Sequence, residues 1–252
     1  MNNDTLKNAL QRQPYRSLYE LVDNASRQTD NQAASPKRSG QDSGPSEVFS
    51  AHALVLASDI LNFPESPYRQ RVKRLKLSVR QLESASDELL AKGMIQPIWV
   101  GKMMFIAPLP PLYTFMQLPC PYKRNVSIEH SFLTLVAQKL IQTWPLVKTT
   151  RLEYPLPGSS AAVDLLVITQ NGDRIAYEIT LSVSNICANA AKLRDHGLSS
   201  IVFLCRDYDL KDAVWASIRS AGFDADFLSM IRCMIFSGLL KETRTFTLKE
   251  RP

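Results

Sequence analysis

Residues 161–180 read AAVDLLVITQNGDRIAYEIT. From Val163 to Thr169 the chain is apolar enough for a central strand buried on both faces, broken by a single acid, Asp164. Gln170-Asn171-Gly172-Asp173 is a strong hairpin turn, because Asn and Gly tolerate the positive φ that a tight connection needs. The stretch Arg174 to Thr180 then alternates cleanly, with Ile175, Tyr177 and Ile179 facing one way and Ala176, Glu178 and Thr180 the other. Two neighbouring ribbons thus carry Asp164 and Glu178, and Glu178 shares its face with Thr180.

Outward from this hairpin the elements alternate in type. Upstream, Ser127 can cap a helix whose apolar stripe is Ile128, Phe132, Leu135, Val136 and Leu140, with Glu129 and His130 in its first turn and Pro145 beyond its end. Lys148 to Tyr154 alternates weakly as a strand, and PLPGSS makes the turn into the next. Downstream, a helix is expected from about Ser184 to His196, broken by Gly197. Ile201 to Cys205 then reads as a buried strand, parallel to its neighbour because a helix separates them. An amphipathic helix over 210–221 follows. The apolar segment 227–240 is of undecided type, and the charged tail KETRTFTLKERP is expected to fray.

The order helix, strand, strand, strand, helix, strand over 125–204, with Glu129, Asp164 and Glu178 in the first helix and the second and third strands, resembles the PD-(D/E)xK nuclease superfamily. The matching stretches are AVDLLV and YEITLS. The resemblance implies an α/β, restriction-endonuclease-like domain, a small mixed sheet flanked by helices. It also implies Mg²⁺ held by Asp164 and Glu178, with Glu129 in support, for cleavage of DNA phosphodiester bonds. The chemistry suits the spacing, since carboxylates on adjacent antiparallel strands are hard oxygen ligands for Mg²⁺, and bound metal activates water and stabilises charge on the phosphate. Thr180 stands where the family has a lysine, and a hydroxyl brings no positive charge to the transition state. Lys192, on a helix that doubles back along the sheet, is the candidate replacement cation. The plainer readings are an acid at a strand edge for Asp164, an acid on a half-exposed face for Glu178, a first-turn helix acid for Glu129, a solvated lysine for Lys192 and a packing role for His130.

Before this domain, residues 47–108 read as three helices and a hairpin. Val48, Ala51, Leu54, Val55 and Ile60 mark the first helix, stopped at Asn62-Phe63-Pro64. Pro67 suits the first turn of a second helix. Ser78 caps a third helix, VRQLESASDELLAKG, and two short apolar runs meet at Gly101-Lys102. This phrasing resembles the winged helix-turn-helix family. The resemblance puts Arg80, Gln81 and Ser84 against base edges, with Arg69, Arg71, Lys73, Arg74 and Lys76 on phosphates and Lys102 in the wing. A basic helix face that docks an acidic protein is the alternative.

The remaining features bound these readings. With 252 residues and 45% hydrophobic content the chain can bury a core in one or two domains. Its net charge of +6 and pI near 9.2 are compatible with a nucleic-acid partner. No run approaches the roughly 20 apolar residues of a membrane span, and MNNDTLKNALQRQ lacks a secretory apolar stretch, so a cytoplasmic location without membrane contact is expected. The four cysteines are too scattered for zinc-ligand spacing or a disulfide framework. Residues 1–46 combine a helix-compatible leader over 5–23, a candidate protein-docking segment, with a polar stretch from Asn24 to Ser46 expected to be a flexible linker. Residues 109–126 are rich in proline and read as an extended connector to a domain spanning 127–252. The combination also looks like parts of DNA-translocating ATPases and of proteins carried by mobile or defence elements, although no ATP-binding loop occurs. Three functions stay open: a Mg²⁺-dependent nuclease, a catalytically inactive DNA holder or adaptor on the same fold, and a protein-docking module.

Overall fold

The computed structural model describes residues 49–123, 125–158 and 162–249; the expected leader helix and linker lie outside them. The described residues group into two compact units, 49–96 with 108–120, and 97–107 with 121–249.

In the first unit, α1 (Ala51–Asn62) starts where the Ser50 hydroxyl accepts from the Ala53 N–H. α2 (Tyr68–Leu75) follows Pro67 and closes at Lys76, whose φ of +54° ends the helix. α3 (Val79–Ala91) opens on a capping box, in which the Ser78 hydroxyl accepts from the Gln81 N–H and the Gln81 side chain accepts from the Ser78 N–H. Leu56, Ala57 and Ile60 of α1 and Leu82, Ala85 and Leu89 of α3 are buried, and the two helices pack together. The stretch expected to be an extended spacer instead contains a short helix, α4 (Pro110–Phe115). Its prolines occupy the opening positions, where a missing N–H leaves no helical bond unmade.

Asp59, on the inward face of α1, corrects part of the basic-run reading. Arg71 is fully buried and bonds Asp59 Oδ2 and the Phe63 carbonyl, and Arg74 donates to both Asp59 oxygens at 2.7 and 2.8 Å. A buried guanidinium needs a carboxylate to offset lost hydration, so these two arginines hold α2 to α1, and Arg71, fully buried, does not reach a phosphate.

A hairpin, β1 (Ile95–Val100) and β2 (Met103–Pro108), turns at Gly101, where φ is +56°, and its residues 97–107 belong to the second unit. Ile98, Val100, Phe105 and Ala107 join the core formed with Phe132, Leu133 and Val136 of α5 (Ile128–Ile141). The strands expected as a wing therefore belong to the C-terminal core, a departure from a self-contained winged helix over 47–108.

The body of this unit is a five-stranded mixed sheet flanked by helices, in the order β3 (Val147–Pro155), β4 (Ala162–Thr169), β5 (Arg174–Thr180), β6 (Ser200–Cys205), β7 (Ile231–Ile235). β4 is antiparallel to both of its neighbours, β3 and β5; β6 runs parallel to β5, and β7 parallel to β6. Leu165, Tyr177, Ile179, Val202 and Leu204 face a core shared with α5 and with α9 (Phe236–Lys249). Leu166, Ala176, Ile201, Phe203 and Cys205 face the other, closed by α6 (Ile186–Leu193), α7 (Tyr208–Ser220) and α8 (Ala225–Met230). The undecided segment 227–240 thus resolves into the end of α8, β7 and the start of α9, and the tail expected to fray is helical to Lys249. All four cysteines are free thiols. Among the described residues no helix is long and apolar enough to cross a membrane.

Candidate functional site

The β4–β5 register pairs Leu165 with Tyr177, which sets Asp164 opposite Glu178. Two hydrogen bonds tie these neighbours together. The Ile179 N–H donates to Asp164 Oδ2 at 2.8 Å, and the Asp164 N–H donates to Glu178 Oε1 at 3.4 Å. The acids named from the sequence are therefore brought together.

A third carboxylate lies in the same row. Leu152 pairs with Leu165 and Tyr154 with Val163, so Glu153 of β3 stands across from Asp164. It adopts a φ of +48° and accepts from Lys123 Nζ at 2.7 Å. Sequence reasoning missed it, because β3 alternates weakly and the positive φ breaks its period at that residue. The available signal was the shared strand itself, which puts an acid one ladder step from Asp164.

His130 is the first-turn residue that reaches the pair, with Nε2 3.1 Å from Asp164 Oδ1, so its role is not mere packing. Glu129, expected in support of a metal, contacts Arg206 Nη1 at 3.7 Å instead. Adjacent residues on a helix point about 100° apart, so the two cannot both face Asp164. Thr180 is buried and its hydroxyl donates to the Glu178 carbonyl at 3.3 Å, which leaves a neutral group two residues after Glu178. Lys192 is exposed on α6, and its charge acts on Glu178.

Electrostatics follow from this crowding. Burial and the Asp164 charge, with Glu153 adding to them, raise the Glu178 pKa well above the usual glutamate range; the Asp164 N–H and Lys192 only partly offset them. For His130, burial alone would lower the pKa, but the Asp164 hydrogen bond and the charges of Asp164 and Glu153 outweigh it and raise the value. Glu178 is thus the acid of this site that nearby cations leave under-compensated.

Beside the pair lies a cleft of about 200 Å³ lined by His130, Glu178, Thr180, Ser182, Ser184 and Asn189 among others. It sits where the carboxyl end of β5 leads through 181–185 into α6, the edge of an α/β sheet where ligands commonly bind. The donor set suits Mg²⁺ in one respect: Asp164 and Glu178 are hard oxygen ligands whose mutual repulsion a divalent cation would relieve. Among the described residues no group of three or more His, Cys, Asp or Glu side chains is disposed to hold a metal ion. Mg²⁺ commonly takes only one or two carboxylates and completes its shell with water and substrate phosphate, so a carboxylate pair fits it as part of a complex with substrate.

In the helical unit, Arg69, Lys73, Lys76, Arg80, Gln81 and Ser84 are exposed, as is Lys102 in the β1–β2 turn. Gln81 is partly committed, since its oxygen serves the α3 cap. The exposed face of α3 also carries Glu83 and Asp87. No family model, curated protein or solved structure matches this chain.

Proposed function

We propose that this protein binds DNA and that its C-terminal unit cleaves phosphodiester bonds with Mg²⁺. The observation that carries the reading is the meeting of Asp164 and Glu178 across adjacent antiparallel strands, with Glu178 and the Asp164 partner His130 lining one cleft. The strand order with α5 and α6 also supports it, being the arrangement expected of a PD-(D/E)xK-like domain. Asp164 and Glu178 would hold the metal, which supplies an activated water and charge stabilisation on the phosphate. His130 positions Asp164 through Oδ1. Lys192 supplies the positive charge that Thr180 lacks. In the helical unit, the exposed Arg69, Lys73 and Lys76 are the phosphate contacts, with Arg80, Gln81 and Ser84 toward base edges; Arg71 and Arg74 are committed to Asp59.

A second reading, a non-cleaving DNA holder on the same fold, is favoured by the buried, backbone-bonded Thr180. Incubation of supercoiled plasmid with Mg²⁺ separates the two. Nicking that is lost with EDTA and in Asp164→Ala supports the enzyme. Retention of DNA in a gel without nicking supports the holder, and neither retention nor nicking rejects both.

A further inference from the structure

The cleft beside Glu178 is polar and holds no lysine or arginine; its one ionisable base, His130, is engaged with Asp164. Thr180, Ser182, Ser184 and Asn189 bring hydroxyl and amide groups to it, Ser182 and Ser184 on the exposed loop and Asn189 on α6. Beside the poorly compensated Glu178 this choice has a physical consequence. A lysine or arginine inside the cleft would pair with Glu178, whereas a hydroxyl or carboxamide can donate to an anionic ligand and leave the carboxylate available. The apolar floor supplies no aromatic face, because Phe203 is fully buried and cannot stack on a base. The volume, about 200 Å³, falls below the usual range for drug-sized ligands, about 300–1,000 Å³. It suits a phosphodiester and its sugar better than an extruded base in its own pocket. Lys192 follows Asn189 by one helical turn on α6 and is exposed, which places a positive charge beside the entrance on the same helix.

From these features we infer that the cleft is a backbone-binding groove: Ser182, Ser184 and Asn189 hold the sugar-phosphate of the strand to be cut, without reading its bases. The inference rests on the proposed function and adds to it the part of the substrate recognised and the positioning residues. Strand cutting at this cleft is then indifferent to local sequence, and any site preference comes from elsewhere in the protein.

The test measures binding of fluorescent oligonucleotides of several unrelated sequences to the full chain, by anisotropy in Ca²⁺, together with steady-state cleavage in Mg²⁺. The variants are Asn189→Ala and the double variant Ser182→Ala with Ser184→Ala; the serines are exposed, so the fold is retained. Each lost neutral hydrogen bond corresponds to about a fivefold loss of affinity. The expected result is that loss, equal for every sequence, with KM raised and kcat kept within about twofold. Replacing a single phosphate by an uncharged methylphosphonate should weaken wild-type binding and remove most of the difference between wild type and variants. Variants that bind like wild type overturn the groove while leaving the proposed function standing. Losses that differ between sequences overturn backbone recognition in favour of base reading. A wild-type chain that binds no DNA in either ion rejects the proposed function and the groove with it.

Discussion

Asp59→Ala removes the carboxylate on which Arg71 and Arg74 converge. In the intact fold the Asp59 side chain is 1% exposed and that of Arg71 is 0% exposed, so the alanine variant strands a guanidinium in the interior. Breaking a buried ion pair from one side costs about 3–5 kcal/mol, and Arg74, at 26% side-chain exposure, limits the total because it can turn toward water. With a slope of about 2 kcal/mol per molar urea, the midpoint of the helical unit falls by about 2 M. The three tryptophans, Trp99, Trp144 and Trp215, all lie in the C-terminal unit. Tryptophan fluorescence therefore reports the C-terminal unit alone, whereas helical circular dichroism reports the helices of both units. In Asp59→Ala the part of the dichroism change that fluorescence does not follow should move to lower urea, while the fluorescence transition stays. Lys73→Ala, at an exposed position on the same helix, should shift neither by more than about 0.5 kcal/mol. Equal effects of Asp59→Ala and Lys73→Ala would refute the division of the basic run into structural and exposed members.

The acid pair yields further expectations. Glu178 holds its proton more tightly folded than unfolded, so its contribution to stability is complete below the ordinary glutamate range and is lost as pH rises through the elevated folded value. Glu178→Gln should therefore stabilise the C-terminal unit at neutral pH relative to wild type and flatten this pH dependence; a variant no more stable at pH 8 than wild type contradicts the assignment. The contribution of His130, raised by Asp164 and Glu153 against burial, is present below the unfolded histidine value near 6.5 and lost above the folded one. A histidine NMR titration should show its pKa dropping in Asp164→Asn, and an unchanged value would remove the ion pair. If the domain cleaves, Lys192→Ala should lower kcat about 10²- to 10³-fold, the scale of losing one transition-state stabilising group, while Lys192→Arg keeps much of it. Equal kcat in wild type and Lys192→Ala leaves the missing charge to another residue.

The legible and illegible parts of the fold divide along physical lines. The Arg174–Thr180 strand, the turn before it, the Ser78 and Ser127 caps and the parallel β5–β6 pair were readable because each depends on local chemistry or on an intervening helix. The Asp164–Glu178 meeting followed from the same hairpin. Glu153 escaped because its participation depends on a third strand and an irregular backbone. The burial of Arg71 escaped because Asp59, its partner, sits twelve residues earlier on another helix, and nothing local distinguishes a buried arginine from its exposed neighbours. The hairpin over 95–108 was found at its proper place, but strand periodicity does not encode which core receives it. The α4 turn was hidden by prolines, which read as spacer yet also open helices.

The central claim is that Asp164 and Glu178 together hold a divalent cation against a DNA phosphate. The most direct measurement is anomalous diffraction from crystals soaked with Mn²⁺ and a short oligonucleotide, for wild type and Asp164→Ala. Manganese density should lie between the two carboxylates and a phosphate oxygen, and vanish in the variant. Saturating Mn²⁺ with oligonucleotide bound, no density at that point and His130 still seated on Asp164 would contradict it.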